Sequence, residues 1–144
     1  MEEKDIFRLL KKLKPVFGES VPWSLTGSVN LKVQELDVTP SDLDITTNLE
    51  GLELVRTKLE KYVKKDEFKE DIQAHAIICV IDGFEVDISY NLNEKVNLFH
   101  EIKFIKWNRL KIPVLPLEKA KDFYKLKGRK DKVELIERNL KQRT

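Results

Sequence analysis

The sequence predicts an α/β (α+β) fold in which a small mixed β-sheet is flanked by helices. Two observations lead to this prediction: short apolar or alternating runs typical of strands are interleaved with longer segments whose apolar residues recur at helical spacing. The strand-like runs are 23–26, 42–47, 72–81 and 84–90, and the helical segments are 3–14, 50–64 and a C-terminal pair. With 144 residues, the chain is expected to form one domain over 1–144, with its core at about 20–90 and the helical pair at about 117–144.

The first half of the chain gives clear boundaries. Apolar residues at helical spacing mark the first helix, and Pro15 and Gly18 are expected to end it. The short strand 23–26 breaks at Gly27-Ser28, after which residues 29–33 can form a short helix. Asn48 is a plausible N-cap for the helix that runs to about residue 64. The charged segment 64–71 is expected to be a loop or a frayed helix end.

The second half contains a hairpin and a helical pair. Asp82-Gly83 lies between two strand-like runs, which is a strong hairpin signal. Residues 91–112 show no clear period, and their apolar residues between 98 and 107 are expected to lie mostly in the core. Residues 117–126 have the pattern of a helix, Gly128 interrupts it, and Val133, Ile136 and Leu140 mark the last helix.

Composition excludes several classes of protein. Hydrophobic residues make up 41% of the chain and charged residues 36%, as in soluble globular proteins. The longest apolar run, 76–81, is strand-sized, so no membrane partner is expected. The single cysteine, Cys79, and the two histidines, His75 and His100, make a disulfide or a structural zinc site improbable. A reducing, cytoplasmic location is therefore expected.

The charge is unevenly distributed. Residues 117–144 contain ten Lys/Arg and five Asp/Glu, a net charge of +5, while the rest of the chain has a net charge of −3. A basic segment beside a body with clustered acids suggests that a polyanion bridges the two. The alternative is a solvated helix surface, which is the more common reason for a charged run.

Two carboxylates carry the main chemical signal. On a strand, Asp42 and Asp44 point to one face while Leu43 and Ile45 point to the other. Like charges this close repel, and a divalent cation between them removes the repulsion. Oxygen ligands suit Mg²⁺, which usually shares them with substrate phosphates. The alternative is an ordinary solvated strand face.

Two further features fit a phosphate site with three acids. The Gly27-Ser28 step before a helix would let backbone N–H groups approach an anion, although such pairs are also common in turns. On strand 84–90, Asp87 lies between the apolar Val86 and Ile88 and is the preferred third carboxylate. Glu85 shares its face and is the rival candidate.

Taken together, these motifs resemble those of the polymerase-β-type nucleotidyltransferase superfamily, in a minimal, aminoglycoside-nucleotidyltransferase-like form with a single domain. The matching stretches are Leu25-Thr26-Gly27-Ser28, then a spacer of thirteen residues, then Asp42-Leu43-Asp44-Ile45, and finally Asp87. The string KLKGRKDKVELI, residues 125–136, resembles the end of several small members more loosely.

The resemblance implies the fold of that superfamily and a metal-dependent transfer of a nucleoside monophosphate from an NTP, most often ATP, to a hydroxyl, with release of pyrophosphate. It implies that Asp42, Asp44 and Asp87 are catalytic and bind two Mg²⁺ (or Mn²⁺) ions. The nucleotide would contact Gly27 and Ser28. The net charge of the C-terminal segment adds Lys125, Lys127, Arg129 and Lys130 as candidates for contact with the triphosphate, with Arg129 the first choice because its guanidinium can bind phosphate at two points.

The sequence leaves the acceptor open between a small molecule and a protein, and nucleic acid is the less favoured partner. One alternative is an antitoxin or regulatory domain that binds, and can adenylylate, a helical partner protein. Another is a non-catalytic nucleotide-binding module. Three clustered carboxylates argue against the second, because an inactive site has no use for charges that repel each other.

Overall fold

A computed structural model describes residues 1–71, 73–92 and 101–143. The helices in these ranges are α1 (Glu3–Phe17), α2 (Gly27–Val33), α3 (Leu49–Lys58), α4 (Leu117–Leu126) and α5 (Lys130–Arg143). The strands are β1 (Trp23–Thr26), β2 (Leu43–Thr47), β3 (Val63–Lys69), β4 (Ala74–Ile81), β5 (Phe84–Asn91), β6 (Lys103–Trp107) and β7 (Leu110–Val114).

The described strands form one mixed sheet in the order β3-β4-β5-β2-β1-β7-β6. Strands β2 and β5 are parallel, as are β1 and β7, and the other neighbours are antiparallel. The predicted mixed sheet flanked by helices is therefore confirmed. No helix in the described ranges combines the length and the apolar character needed to cross a membrane.

Two hydrophobic clusters hold the helices in place. The larger one joins one face of the sheet to α1 and α3, and it includes the fully buried Leu10, Ile45 and Val55. The smaller one joins α2 to the C-terminal pair α4 and α5 through residues such as Leu31 and Ile136. Because the second cluster leaves part of the opposite sheet face uncovered, that face is where a cleft can form.

The first helix is longer than predicted. It continues through Pro15 to Phe17 and ends at Gly18, whose φ of 68° is easy for glycine only. Proline lacks the N–H that would bond one turn back, which normally weakens a helix. Here Val16 and Phe17 are both buried, and their packing holds the last turn in place.

The third helix is shorter than predicted, and the prediction of a loop or frayed helix at 64–71 is wrong. The helix ends at Lys58, and residues 63–69 form β3, an edge strand that pairs with β4. Its side chains between Lys64 and Phe68 are exposed on both faces, so no apolar alternation reveals the strand. Ile72, the predicted first residue of the next strand, lies outside the described residues.

The hairpin prediction is confirmed. Strands β4 and β5 are antiparallel, Ile81 faces Phe84, and the two turn residues Asp82 and Gly83 have φ values of 53° and 83°. Positive φ at both central positions is the geometry of a type I′ turn, which fits the twist of the flanking strands.

The region before the C-terminal helices differs from its prediction. Residues 103–107 and 110–114 form the hairpin β6–β7. Its apolar residues were expected mostly in the core, yet Phe104 is 61% exposed, while Ile105 and Trp107 are partly buried. The reason is that β6 is the other edge of the sheet, where only one strand face meets the helices. Leu98 and Phe99 lie outside the described residues.

Asn48 caps α3 as predicted, because its side-chain oxygen accepts a hydrogen bond of 2.9 Å from the Gly51 N–H. We expect Asn48→Ala to lower the free energy of unfolding by about 1 kcal/mol, or the Tm by roughly 3–5 °C. Asn48→Asp keeps the acceptor and should lose far less. Urea and thermal unfolding of both variants would check this; equal losses in the two would contradict a capping role.

Candidate active site

The register of the sheet brings two of the predicted carboxylates together. Asp44 on β2 is the direct partner of Asp87 on the parallel strand β5 and of Thr26 on the antiparallel strand β1. Neighbouring strands lie about 4.8 Å apart, so the two aspartates leave adjacent backbone positions on one face. Asp42 lies one residue before β2 and joins them from the loop. The opposite face, with Leu43 and Ile45, is fully buried.

These three aspartates line a cleft of about 790 Å³ between the sheet and the C-terminal helices. The β1–α2 turn contributes Thr26, Gly27 and Ser28, and the other sheet residues are Lys69, Ala74, Ala76, Ser89 and Asn91. The C-terminal helices contribute Phe123, Tyr124, Leu126, Lys127, Arg129 and Lys132. Glu85, the rival third acid, is exposed and is not among the lining residues, so the arrangement favours Asp87.

Gly27 is required in two ways where the turn meets the acids. Its φ is 65°, and a Cβ added there would overlap the Asp44 carboxylate oxygen and lie 3.1 Å from its Cγ. A side chain would therefore strain the backbone and displace Asp44 at once. The glycine places the start of α2 directly against the Asp44 carboxylate.

Burial and the neighbouring carboxylates make the charged form of Asp44 and Asp87 unfavourable. Burial, followed by repulsion from Asp42 and Asp87, raises the pKa of Asp44 to about 7, and Lys127 opposes this rise. Burial also raises the pKa of Asp87, with Lys69 as the largest opposing charge. Both shifts show that the cleft disfavours its own negative charge, which is the condition that a bound cation relieves.

The donor set fits a divalent hard cation, Mg²⁺ or Mn²⁺, since it consists of carboxylate oxygens. Within the described ranges, however, no three His, Cys, Asp or Glu side chains are already assembled as a metal site. Mg²⁺ commonly binds through one or two carboxylates and completes its shell with water and phosphate oxygens. The cleft therefore offers such an ion a partial set of carboxylate ligands.

Not all of the basic residues predicted to bind the nucleotide line the cleft. Lys127 and Arg129 line the cleft, but Lys130, which was predicted to bind the nucleotide, is not among the lining residues. Arg129 is exposed and forms an ion pair of 3.2 Å with Asp131. The ammonium of Lys127 lies 4.4 Å from the centre of the Phe123 ring.

Two cleft cations were missed in the sequence. Lys132 lies three residues after Arg129, a spacing that puts both on one helical face and could have signalled it. Lys69 lies at the end of β3, which was not recognised as a strand, so nothing in the sequence indicated that it lines the cleft and acts electrostatically on Asp87.

A buried amide positions the C-terminal helices over the site. The Asn30 side chain donates to the Leu115 carbonyl and accepts from the Leu115 N–H, both at 2.9 Å. Gln34 donates to the same carbonyl at 2.8 Å. These hydrogen bonds fix the chain just before α4, which carries Tyr124 and leads to Lys127. Because Asn30 lies two residues after Ser28, α2 holds both the Gly27-Ser28 turn and the start of the helical pair in place.

The long spacer between the glycine and the acids has a structural explanation. After α2, the chain places Leu36 and Val38 in the same hydrophobic cluster as α4 and α5.

Tyr124 in this cluster is buried, and burial, with a smaller contribution from Asp44, raises its pKa to about 12. The hydroxyl of Tyr124 is therefore protonated at neutral pH, and Tyr124 is one of the residues that line the cleft.

Comparison with known proteins agrees with this fold. TM1012 of Thermotoga maritima, a protein assigned as a nucleotidyltransferase, superposes with a TM-score of 0.75 at 26% identity, covering 99% of this chain and 96% of that one. The lincomycin-bound structure of the lincosamide antibiotic adenylyltransferase LnuA superposes with a TM-score of 0.65 at 18% identity, covering 95% and 97%. A search of curated proteins returned no match.

The fold and the glycine-serine turn beside the aspartates define a polymerase-β-like nucleotidyltransferase. The sequence model of the aminoglycoside-2''-adenylyltransferase family matches residues 6–138, and the chain belongs to that family.

Proposed function

We propose that this protein transfers a nucleoside monophosphate from an NTP to a hydroxyl group of a small-molecule acceptor, in a reaction that depends on a divalent metal. The observation that carries the proposal is the meeting of Asp42, Asp44 and Asp87 in one cleft, between the Gly27-Ser28 turn and Lys127. The adenylyltransferase description of the family supports ATP as the nucleotide, and its aminoglycoside acceptor supports a small molecule over a protein side chain.

The residues of the cleft have separate tasks in this reaction. Backbone N–H groups at Gly27 and Ser28 receive the terminal phosphates, and Lys127 and Arg129 add positive charge from the helical side. Asp42, Asp44 and Asp87 would hold Mg²⁺ or Mn²⁺, and two such ions when bound would neutralise the phosphate charge and make the hydroxyl more acidic.

In the proposed reaction, a carboxylate oxygen of Asp87 accepts the proton of the acceptor hydroxyl. The acceptor oxygen forms a bond to the α-phosphorus while the bond from that phosphorus to the bridging oxygen breaks, and pyrophosphate leaves. Catalysis then depends on positioning and charge stabilisation, because the protein forms no covalent bond.

The reaction is tested with ATP labelled either at the α-phosphate or at the γ-phosphate, incubated with the protein, Mg²⁺ and a small-molecule extract. We expect the α-label to enter a new product and the γ-label to appear in pyrophosphate. Transfer of the γ-label to an acceptor would contradict the proposal, since that is a kinase reaction.

Metal and nucleotide are expected to bind together. With α,β-methylene-ATP at ten times its Kd, the expected stabilisation is about 1.4 kcal/mol, or a Tm rise of roughly 5 °C, and it should require Mg²⁺. Mg²⁺ alone should have little effect because the protein offers an incomplete ligand set. An equal shift in EDTA, or a strong shift with Mg²⁺ alone, would contradict this expectation.

A further inference from the structure

The cleft continues past the aspartates into a second region, which we call the shelf, formed by Ala74, Ala76, Ser89, Asn91 and Lys69. The sheet register places these residues side by side. Ala76 on β4 faces Ser89 on β5, Ala74 faces Asn91, and Lys69 on β3 faces Ala74. The shelf therefore has a floor of small, neutral side chains with the Lys69 ammonium group at its far edge. Glu67, the β3 partner of Ala76, is exposed and is not among the lining residues.

The shelf and the glycine-serine turn lie at opposite ends of the cleft. Strand β3 is four strands away from β1 in the sheet, which corresponds to roughly 19 Å between their backbones. Asp87, on β5, lies between them on the shelf side of Asp44. A triphosphate that begins at Gly27-Ser28 thus leaves the shelf free for the second substrate.

Lysines lie at both ends of the cleft. Lys127 acts electrostatically on both Asp44 and Asp87, and Lys69 is the largest opposing charge on Asp87. Lys69 lies on β3, four strands from the strand that leads into the Gly27-Ser28 turn. Its position at the shelf end of the cleft puts it with the acceptor.

Lys69 also differs from its neighbours on β3. Edge strands often carry exposed lysines that prevent sheets from associating, and Lys64 and Lys65 fit that role because they are exposed. Lys69 is half-buried and lines the cleft. Among the described residues, Lys69 forms no ion pair within 4.0 Å.

We propose that Lys69 is a specificity-determining residue that binds an anionic group of the acceptor, a phosphate or a carboxylate, while Asp87 faces the reacting hydroxyl. The inference rests on the proposed function, since it assigns the second substrate of the same site. It departs from the aminoglycoside in the family description, because the ammonium groups of such a compound would meet the like charge of Lys69.

The test uses protein saturated with Mg²⁺ and α,β-methylene-ATP, so that the phosphate end is occupied. Glycerol 3-phosphate is then titrated as the anionic probe and tobramycin as the cationic one, with binding followed by calorimetry or ligand-observed NMR. Lys69→Ala is expected to weaken glycerol 3-phosphate binding roughly five- to tenfold, the cost of one partly solvated charge contact. Lys69→Arg should retain binding, and Lys69→Glu should shift the preference towards tobramycin.

Lys65→Ala is the matched control, because Lys65 lies on the same strand and the same face but outside the cleft. Failure of glycerol 3-phosphate to bind, equal binding to wild type and Lys69→Ala, or a wild-type preference for tobramycin would each overturn the inference. Binding of the ATP analogue is measured first in every variant. If that binding is absent or independent of Mg²⁺, the proposed function fails; if it is normal, only the role of Lys69 is at issue.

Discussion

Asp44→Asn is expected to abolish nucleotidyl transfer and, at the same time, to stabilise the metal-free protein at neutral pH. Activity is lost because an amide cannot replace the carboxylate at the centre of the proposed metal site. Stability rises because the wild-type carboxylate is buried beside Asp42 and Asp87, and its charge is unfavourable there. The variant removes that charge while keeping the shape of the side chain.

The sign of the predicted difference in unfolding free energy follows from the pKa of Asp44. The pKa of Asp44 is about 7 in the folded protein and 3.8 as an ordinary carboxyl. Between these values the folded state binds more protons than the unfolded state, so wild-type stability falls as pH rises from about 4 to 7. The asparagine variant has no such loss. The difference in unfolding free energy should therefore be near zero at pH 4 and reach at most about 4 kcal/mol above pH 7.

Thermal unfolding in EDTA across pH 4–8, paired with label transfer from ATP, measures both effects. Asp42→Asn, which removes a neighbouring carboxylate from the loop before β2, is the comparison variant. A Tm that falls by several degrees at every pH would mean that Asp44 has a structural hydrogen-bonding role. Full activity in the variant would remove Asp44 from the proposed metal site.

The sequence was sufficient to predict the centre of this site because its signals are local. Gly27, Ser28 and the alternation of Asp42 to Ile45 each depend on a few adjacent residues, and the Asp-Gly turn set the strand on which Asp87 lies. The side chains Leu43, Ile45, Val86 and Ile88 are all fully buried, so one face of each strand was fixed by burial.

The edges of the sheet were not predictable in the same way. Strand β3 exposes charged residues on both faces, and β6 carries the apolar Phe104 on its exposed face, so neither sequence shows the alternation of apolar and polar residues that marks a strand buried on one face. Lys69 was missed for this reason. The orientation of the helical pair depends on hydrogen bonds between Asn30 and Leu115, which are 85 residues apart, and no local pattern reports a contact of that kind.

Because no local pattern reports contacts made in the folded protein, the sequence and the structure favour different basic residues for nucleotide binding. The sequence favoured Arg129 because a guanidinium can bind phosphate at two points. In the structure Asp131 already holds that group, at 3.2 Å from both its Nε and Nη2. Lys127 has no described carboxylate partner within 4.0 Å and acts on both Asp44 and Asp87, so its charge is directed into the cleft.

Lys127→Ala is therefore expected to weaken NTP binding by roughly ten- to a hundredfold, because a charge-assisted contact contributes about 1.5–3 kcal/mol. Arg129→Ala should cost less than about tenfold, since an exposed ion pair competes with the nucleotide for the same guanidinium. Asp131→Ala would release Arg129 and should strengthen binding. Calorimetric titrations with Mg²⁺ and α,β-methylene-ATP at two salt concentrations would measure all three.

Lys130→Ala is the matched control, because Lys130 lies beside Arg129 in sequence but does not line the cleft. It should bind the nucleotide as the wild type does, and its affinity should fall with added salt to the same extent. The affinity of Lys127→Ala should fall less steeply with salt, since one charge contact is already missing. If Lys127→Ala and Lys130→Ala bind equally well, the C-terminal helices close the cleft sterically without contacting phosphate, and the charge on the nucleotide must be met by the aspartate-bound metal and the Gly27-Ser28 turn alone.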